Sequence, residues 1–458
     1  MWHPLPWLLT LLALALRIQA LAIRGDLPLP TSDTFYSPPK GWEKVKPGTV
    51  LRTRKVDVKS FFDVRVKEAW QLLYRTTFIS DDQPTTTVTT VLVPHNAKKD
   101  KLVLYGNYQD SNGPQCAPSY SYRAGITNDV SATANMATVL IFLQEGYVVT
   151  VPDKEGKHNA FAAGHVEGRQ TLDGIRATLS FDKLSFSNST RVAGFGYSGG
   201  AIQSGWAASL KKTYAPELNM VGWYAGGTPS NLTDLILLLN KGPFSGFLVA
   251  GLQGLSVTYP NMKQALDKWA TPKLKEAIKF SKSHCMVDML LKYPFVDLLS
   301  EEYFSKGSRV LETEPFKTVL DQQVMGVHAD ETPDTPVLMM HGVKDEVAPY
   351  DSAFRTYQDW CNQGADVEFI TYNNDIAAHF TTMVTTVAPA FVWIRDRLEG
   401  KPVQRGCSHK YDNNIILNPK YLGQQFTDIL QTLTGLFGDK IGPGDRILKN
   451  RIQNTTHA

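Results

Sequence analysis

The chain has 458 residues, 43% of them hydrophobic and 20% charged, and its 47 Lys and Arg against 44 Asp and Glu leave a formal charge of +3. That composition excludes a disordered tail protein and a polytopic membrane protein. With no basic cluster along the chain, it also gives no footprint for a nucleic-acid partner.

Pro6 to Leu16 (PWLLTLLALAL) is an apolar run, too short for a bilayer, which needs roughly twenty residues. Arg17 and the A-x-A pattern Ala20-Leu21-Ala22 follow, so residues 1–22 read as a secretory signal peptide. No later run reaches the length of a membrane span, and the mature protein is expected to be soluble, extracellular and monomeric. Asn188, Asn231 and Asn454 stand in N-x-S/T sequons and are candidate glycosylation sites. Cys116, Cys285, Cys361 and Cys407 should pair in an oxidising compartment, with three connectivities open. There is no C-x-x-C and no H-E-x-x-H, so neither a metal site nor a cofactor is expected.

A Pro-rich entry (Leu27 to Pro30, Ser37 to Pro39) predicts an extended arm. Ala69 to Phe78, Thr85 to Val93 and Leu102 to Tyr105 are β-rich, the last leading into the turn formers Asp110 to Pro114. Then helix and strand alternate. Helices are expected over Ala132 to Gln144, Leu172 to Phe181, Ala201 to Leu210, Ser352 to Cys361 and Met383 to Arg397. Strands are expected over Tyr147 to Val151, Arg191 to Phe195, Met220 to Tyr224, Pro336 to Met340 and Val367 to Tyr372. This is the pattern of an α/β fold, a mostly parallel central sheet with helices on both faces. Residues 228–332 break the alternation and read as helices at Leu232 to Asn240, Met262 to Trp269, Leu274 to Ser281 and Val287 to Lys292, a helical cap inserted between two strands. Residues 23–227 and 333–458 then form the core with its arm and tail. The three domains that roughly 150 residues apiece would suggest are replaced by one core and one cap.

Gly196, Ser198 and Gly200 form a G-x-S-x-G motif between the strand RVAGF and the helix AIQSGWAASL. A nucleophile elbow needs that strand–turn–helix setting, and the α/β-hydrolase order is Ser, acid, His. A serine hydroxyl is a weak nucleophile without a base and an orienting acid. Asp345 follows the strand at Pro336; it is preferred to Glu346 because the shorter side chain holds its carboxylate with less freedom. His379 follows the next strand and is the one histidine between residues 342 and 408, and His341 reads as a packed strand-end residue. Gly199 should offer its backbone N–H to the oxyanion, with a second donor from the loop Tyr108 to Ser111.

The segments GYSGGAIQSGWAASLKKTYAPELN, GGTPSNLT and NKGPFSGFLVAGLQGLS, with CAPSYSY, DKEG, LDGIRA, DEVAPY and the AAH ending at His379, resemble the fungal secretory lipases typified by Candida antarctica lipase A. The resemblance spans about residues 100 to 400. It implies an α/β-hydrolase fold with a helical lid, Ser198 as nucleophile, Asp345 as acid and His379 as base. It also implies Asp110 as second oxyanion donor, with Gln109 as the substitute, and the disulfides Cys116–Cys285 and Cys361–Cys407. The apolar stretch Phe244 to Leu255 is either a packed cap helix or a wall of the acyl site.

These observations point to a secreted ester hydrolase acting on an uncharged ester, foremost a lipase on acylglycerols working at a lipid–water interface. The alternatives are an esterase for an acetylated secondary metabolite of trichothecene type, a serine peptidase, and a binding module that has lost catalysis.

Overall fold

The structure, a computed structural model, describes residues 27–60, 63–125, 129–412, 423–424 and 440–443. The leader 1–22 and Asn454 lie outside the described residues. Among the described residues, ten strands form one sheet: β1 Val50–Lys55, β2 Glu68–Thr77, β3 Pro84–Val93, β4 Lys101–Gly106, β5 Val148–Pro152, β6 Arg191–Tyr197, β7 Met220–Gly226, β8 Val337–Gly342, β9 Val367–Tyr372 and β10 Ser408–Tyr411. Their spatial order is β1-β2-β3-β5-β4-β6-β7-β8-β9-β10. β1, β2, β3 and β5 pair antiparallel, and every neighbour from β5 to β10 is parallel.

The helices in chain order are α1 Pro118–Ala124, α2 Val130–Gln144, α3 Gly164–Leu179, α4 Gly199–Tyr214, α5 Leu232–Leu239, α6 Gly246–Thr258, α7 Pro260–Trp269, α8 Pro272–Ser281, α9 Met286–Lys292, α10 Phe316–Asp321, α11 Tyr350–Asn362 and α12 His379–Leu398. Alternate residues of the central strands feed two cores. Leu102, Leu104, Val192 and Val337 pack with Ile175 of α3, Ile202 and Trp206 of α4 and Trp360 of α11. Val103, Ala193, Phe195 and Leu338 pack on the other face with Phe142 of α2 and Phe391 and Ile394 of α12. Strands covered on both faces are apolar throughout, so runs such as YVVTV and PVLMM appear in the sequence without alternation.

The stretch between β7 and β8 carries α5 to α10. Cys116, ahead of α1, is bonded to Cys285 at the start of α9, and Cys361 at the end of α11 to Cys407 ahead of β10.

Several elements differ from the reading of the sequence: α1, α10 and β10 were not expected, and three others differ for physical reasons. The helix expected from Leu172 begins at Gly164. Its first turns carry Gly164 and Gly168, set against Trp206, where an added Cβ would fall 2.0 Å from the indole and 2.9 Å from the Trp206 backbone. Glycines at a close helix contact remove the apolar period by which a helix is recognised. β1 was not anticipated, because VLRTRK is an edge strand half in solvent and has no apolar face to display. α12 begins at His379, four residues before the expected Met383, its first turn being the polar run HFTT.

Candidate active site

β6 ends at Tyr197 and α4 begins at Gly199, leaving Ser198 in the turn with φ 55° and ψ −125°. A serine held there stores strain of order 1–3 kcal/mol. The flanking glycines permit it: a Cβ on Gly196 would stand 2.0 Å from the Gly200 carbonyl oxygen. The Ser198 N–H donates to the Gly226 carbonyl at 2.9 Å, fixing the turn to the end of β7.

His379 Nε2 lies 2.8 Å from Ser198 Oγ, and Nδ1 lies 2.7 Å from Asp345 Oδ2. The carboxylate oxygen accepts, so Nδ1 carries the proton and Nε2 faces the serine hydroxyl as the acceptor. Asp345 Oδ1 accepts from the N–H groups of Val347 at 3.0 Å and Ala348 at 2.7 Å. Burial pushes the Asp345 carboxyl up, but the charges and hydrogen bonds of His379 and His341 outweigh it and hold the group well below the usual carboxylate range. For His379, burial disfavours the imidazolium, and the adjacent Asp345 reverses this to leave the ring above its ordinary 6.5.

Glu346, the other acid weighed for this role, accepts the backbone N–H of His379 at 2.8 Å and so fixes the first turn of α12. Tyr197 adds a second restraint, its hydroxyl donating to the His379 carbonyl at 2.8 Å. His341 is more than a packed strand end: its Nε2 is 3.2 Å from Asp345 Oδ2 and 3.0 Å from the Ala348 carbonyl. No motif marks Tyr197 or His341; their positions at the ends of β6 and β8 are the one available signal.

Asp110 sits in the loop after β4 with φ 48°, and its Oδ1 lies against Gly199, where an added Cβ would fall 1.7 Å from that oxygen. The Gln109 amide is turned away, donating to Glu155 Oε2 at 2.9 Å and the Ser111 carbonyl at 3.3 Å. Burial pushes the Asp110 carboxyl up, against the opposing charges of Lys154 and His379.

Ser198, Gly199 and Asp110 line a cavity of about 860 Å³, open mouth included. The rest of the lining is apolar and comes chiefly from the stretch between β7 and β8, including Leu232, Leu248, Leu252, Phe304 and Phe316. Phe244 to Leu255 divides between the packed core and the cavity wall. Val249 and Ala250 of α6 are buried in the core, while Phe247, Leu248, Gly251, Leu252 and Leu255 face the cavity.

The family model described as secretory lipase matches residues 123–406. A secreted triacylglycerol lipase of Malassezia globosa is 51% identical over 97% of this chain and 98% of its own length. A second, from Malassezia furfur, is 45% identical over 91% of this chain and 86% of its own. The solved structure of Candida antarctica lipase A in its closed state superposes with a TM-score of 0.79 at 31% identity, covering 89% of this chain and 96% of that one. A cell wall degrading esterase from Xanthomonas oryzae shares the fold at 18% identity and a TM-score of 0.58.

Proposed function

The chain belongs to the secretory lipase family, and on that premise we propose that it is a secreted triacylglycerol lipase working through an acyl-enzyme on Ser198. The observation that carries this reading is the unbroken line Ser198–His379–Asp345 opening onto an apolar cavity. Ser198 Oγ attacks the ester carbonyl carbon while His379 Nε2 takes its proton. The oxyanion is held by the Gly199 N–H and by Asp110. As the tetrahedral intermediate collapses, the C–O bond to the alcohol breaks and His379 returns the proton to the leaving oxygen. A water then repeats the sequence, releasing the fatty acid.

Residues 228–332 serve as the cap in this reading, supported by the share of the cavity wall that α5, α6 and α10 provide. A surface for lipid is supported by exposed apolar groups around the base: Ile376 is 44% and Val384 68% exposed, and Phe380, its ring tilted against Phe244 with centroids 5.7 Å apart, lies directly after His379. Asn188 is exposed and Asn231 caps α5 through Oδ1, leaving its Nδ2 for a glycan.

The test is a substrate panel on the secreted protein. Emulsified triolein and tributyrin are expected to be hydrolysed faster than acetylated terpenoid alcohols. Turnover confined to the acetylated alcohols would replace the lipase with a metabolite esterase.

A further inference from the structure

Asp345 is fixed by more than the base it serves. Its Oδ1 accepts from the Val347 and Ala348 N–H groups at 3.0 and 2.7 Å, and its Oδ2 accepts from His379 Nδ1 at 2.7 Å. Oδ2 has one further polar neighbour, His341 near the end of β8, whose Nε2 stands 3.2 Å away. Both side chains are closed to water. A carboxylate offers about four acceptor positions, so His341 stands beside the one that the other donors leave.

The second contact of the ring shows where its hydrogen sits. His341 Nε2 lies 3.0 Å from the Ala348 carbonyl oxygen, which only accepts, so Nε2 carries a hydrogen. That N–H is aimed at the carbonyl, with Asp345 Oδ2 alongside. His341 therefore holds Ala348 by its carbonyl while Asp345 holds it by its N–H, and the turn from Asp345 to Ala348 is closed on both sides. The Tyr350 ring packs nearly perpendicular to the imidazole, with centroids 5.8 Å apart.

We propose that His341 is a positioning residue of the triad: its Nε2–H holds the turn that carries Asp345 and offsets part of the carboxylate charge that His379 faces. It acts through Asp345, and it makes and breaks no bond to the substrate. The sign follows from charge. A buried carboxylate stabilises a neighbouring imidazolium. An N–H dipole beside the same oxygen draws on that negative charge, so the imidazolium of His379 gains less from it. The titratable groups facing His379 are Asp345 and Glu346 after β8, Asp110 after β4 and Tyr197 at the end of β6. Those facing Asp345 are His379, His341 and Tyr197. The inference rests on the reading of Ser198, His379 and Asp345 as the triad.

The test is the pH profile of kcat/KM on p-nitrophenyl butyrate for the full secreted protein and the variants H341F and H341Q. Phe keeps a ring without the N–H, and Gln can place an N–H where Nε2 stood. In H341F the acid limb should move up by about half a pH unit to one unit, one unit being tenfold in the ionisation equilibrium. On the plateau above that limb, kcat should stay within about tenfold of wild type with KM unchanged, against the roughly 10⁴-fold cost of altering the triad acid itself. H341Q should return the limb to its wild-type position. An H341F limb that stays in place or moves down, in a protein with the wild-type circular dichroism spectrum, would reduce His341 to packing and overturn the proposal. So would an H341Q limb displaced as far as that of H341F. If H341F does not fold, the histidine ¹⁵N spectrum of wild type at pH 8 decides: the proposal requires the His341 hydrogen on Nε2, and a hydrogen on Nδ1 in its place overturns it. Fluorophosphonate labelling of Ser198 in wild type tells the two failures apart: without it the hydrolase reading falls, and with it only the role of His341 is at issue.

Discussion

Ser198 occupies a backbone conformation that its neighbours enforce, and the same crowding makes Gly199 hard to replace. Gly199→Ala would drive a Cβ into Asp110, so ester turnover should fall at least tenfold while the melting temperature changes little; an unaltered rate would detach Asp110 from the oxyanion. Ser198→Ala should lower kcat on p-nitrophenyl esters by roughly 10⁶-fold and abolish fluorophosphonate labelling, as loss of a triad nucleophile does. The pH dependence follows from His379. The base must be neutral to accept a proton, and Asp345 holds it above 6.5, so kcat/KM should decline as pH falls through a value above 6.5. In Asp345→Asn that limb should move downward and the rate drop by about 10⁴-fold. An acid limb below 6.5 in the wild-type protein would remove Asp345 as the partner.

Residues of this kind were legible in very different degrees. Ser198, Asp345 and His379 follow β6, β8 and β9 in the order that the fold imposes, and strand-end positions can be counted along a chain. Lys154, Glu155 and Glu167 could not be found that way. DKEG is visible as a motif, but a buried lysine and a surface lysine have the same letter, and Glu167, which accepts from Lys154 Nζ at 2.9 Å, lies on a different element, α3.

At the scale of elements, α6 shows how one helix divides its faces. Gly251 lines the cavity, and a side chain there would meet little besides Ala162 at 3.8 Å. Gly251→Leu should therefore leave turnover of butyrate esters within about threefold and reduce that of oleate esters tenfold or more, read as kcat/KM across an acyl series; one or two methylenes misplaced in an apolar pocket are worth about 1–3 kcal/mol. A uniform change across the series would place the acyl chain elsewhere. The sequence of α6, GFLVAGLQGLSVT, has no polar face, because neither side of the helix meets water broadly. For that reason the stretch could be read as core or as acyl wall, but not apportioned between them. Helices with one wet face, such as α7 and α8, were visible from their spacing.

The whole molecule is closed by two disulfides of unequal reach, 169 and 46 residues apart in sequence. On chain entropy alone they stabilise by about 5 and 4 kcal/mol, and measured contributions are commonly about 2–4. Replacing Cys116 and Cys285 by Ser should lower the unfolding midpoint, read by circular dichroism, by at least as much as replacing Cys361 and Cys407. The opposite ranking would show that local strain rather than loop length sets their worth.

The longer of these bonds also orders events in time. A secreted chain enters an oxidising compartment from its N-terminal end, so Cys116 is the first thiol to arrive and Cys285, its partner, follows 169 residues later. At about 5–20 residues per second, that is a wait of roughly 10–30 s. During it the loop that carries Asp110 has no covalent anchor. The bond can close once α9 emerges, before β8, β9 and α12 have been made, so Asp345 and His379 can reach a scaffold already fastened on its other side.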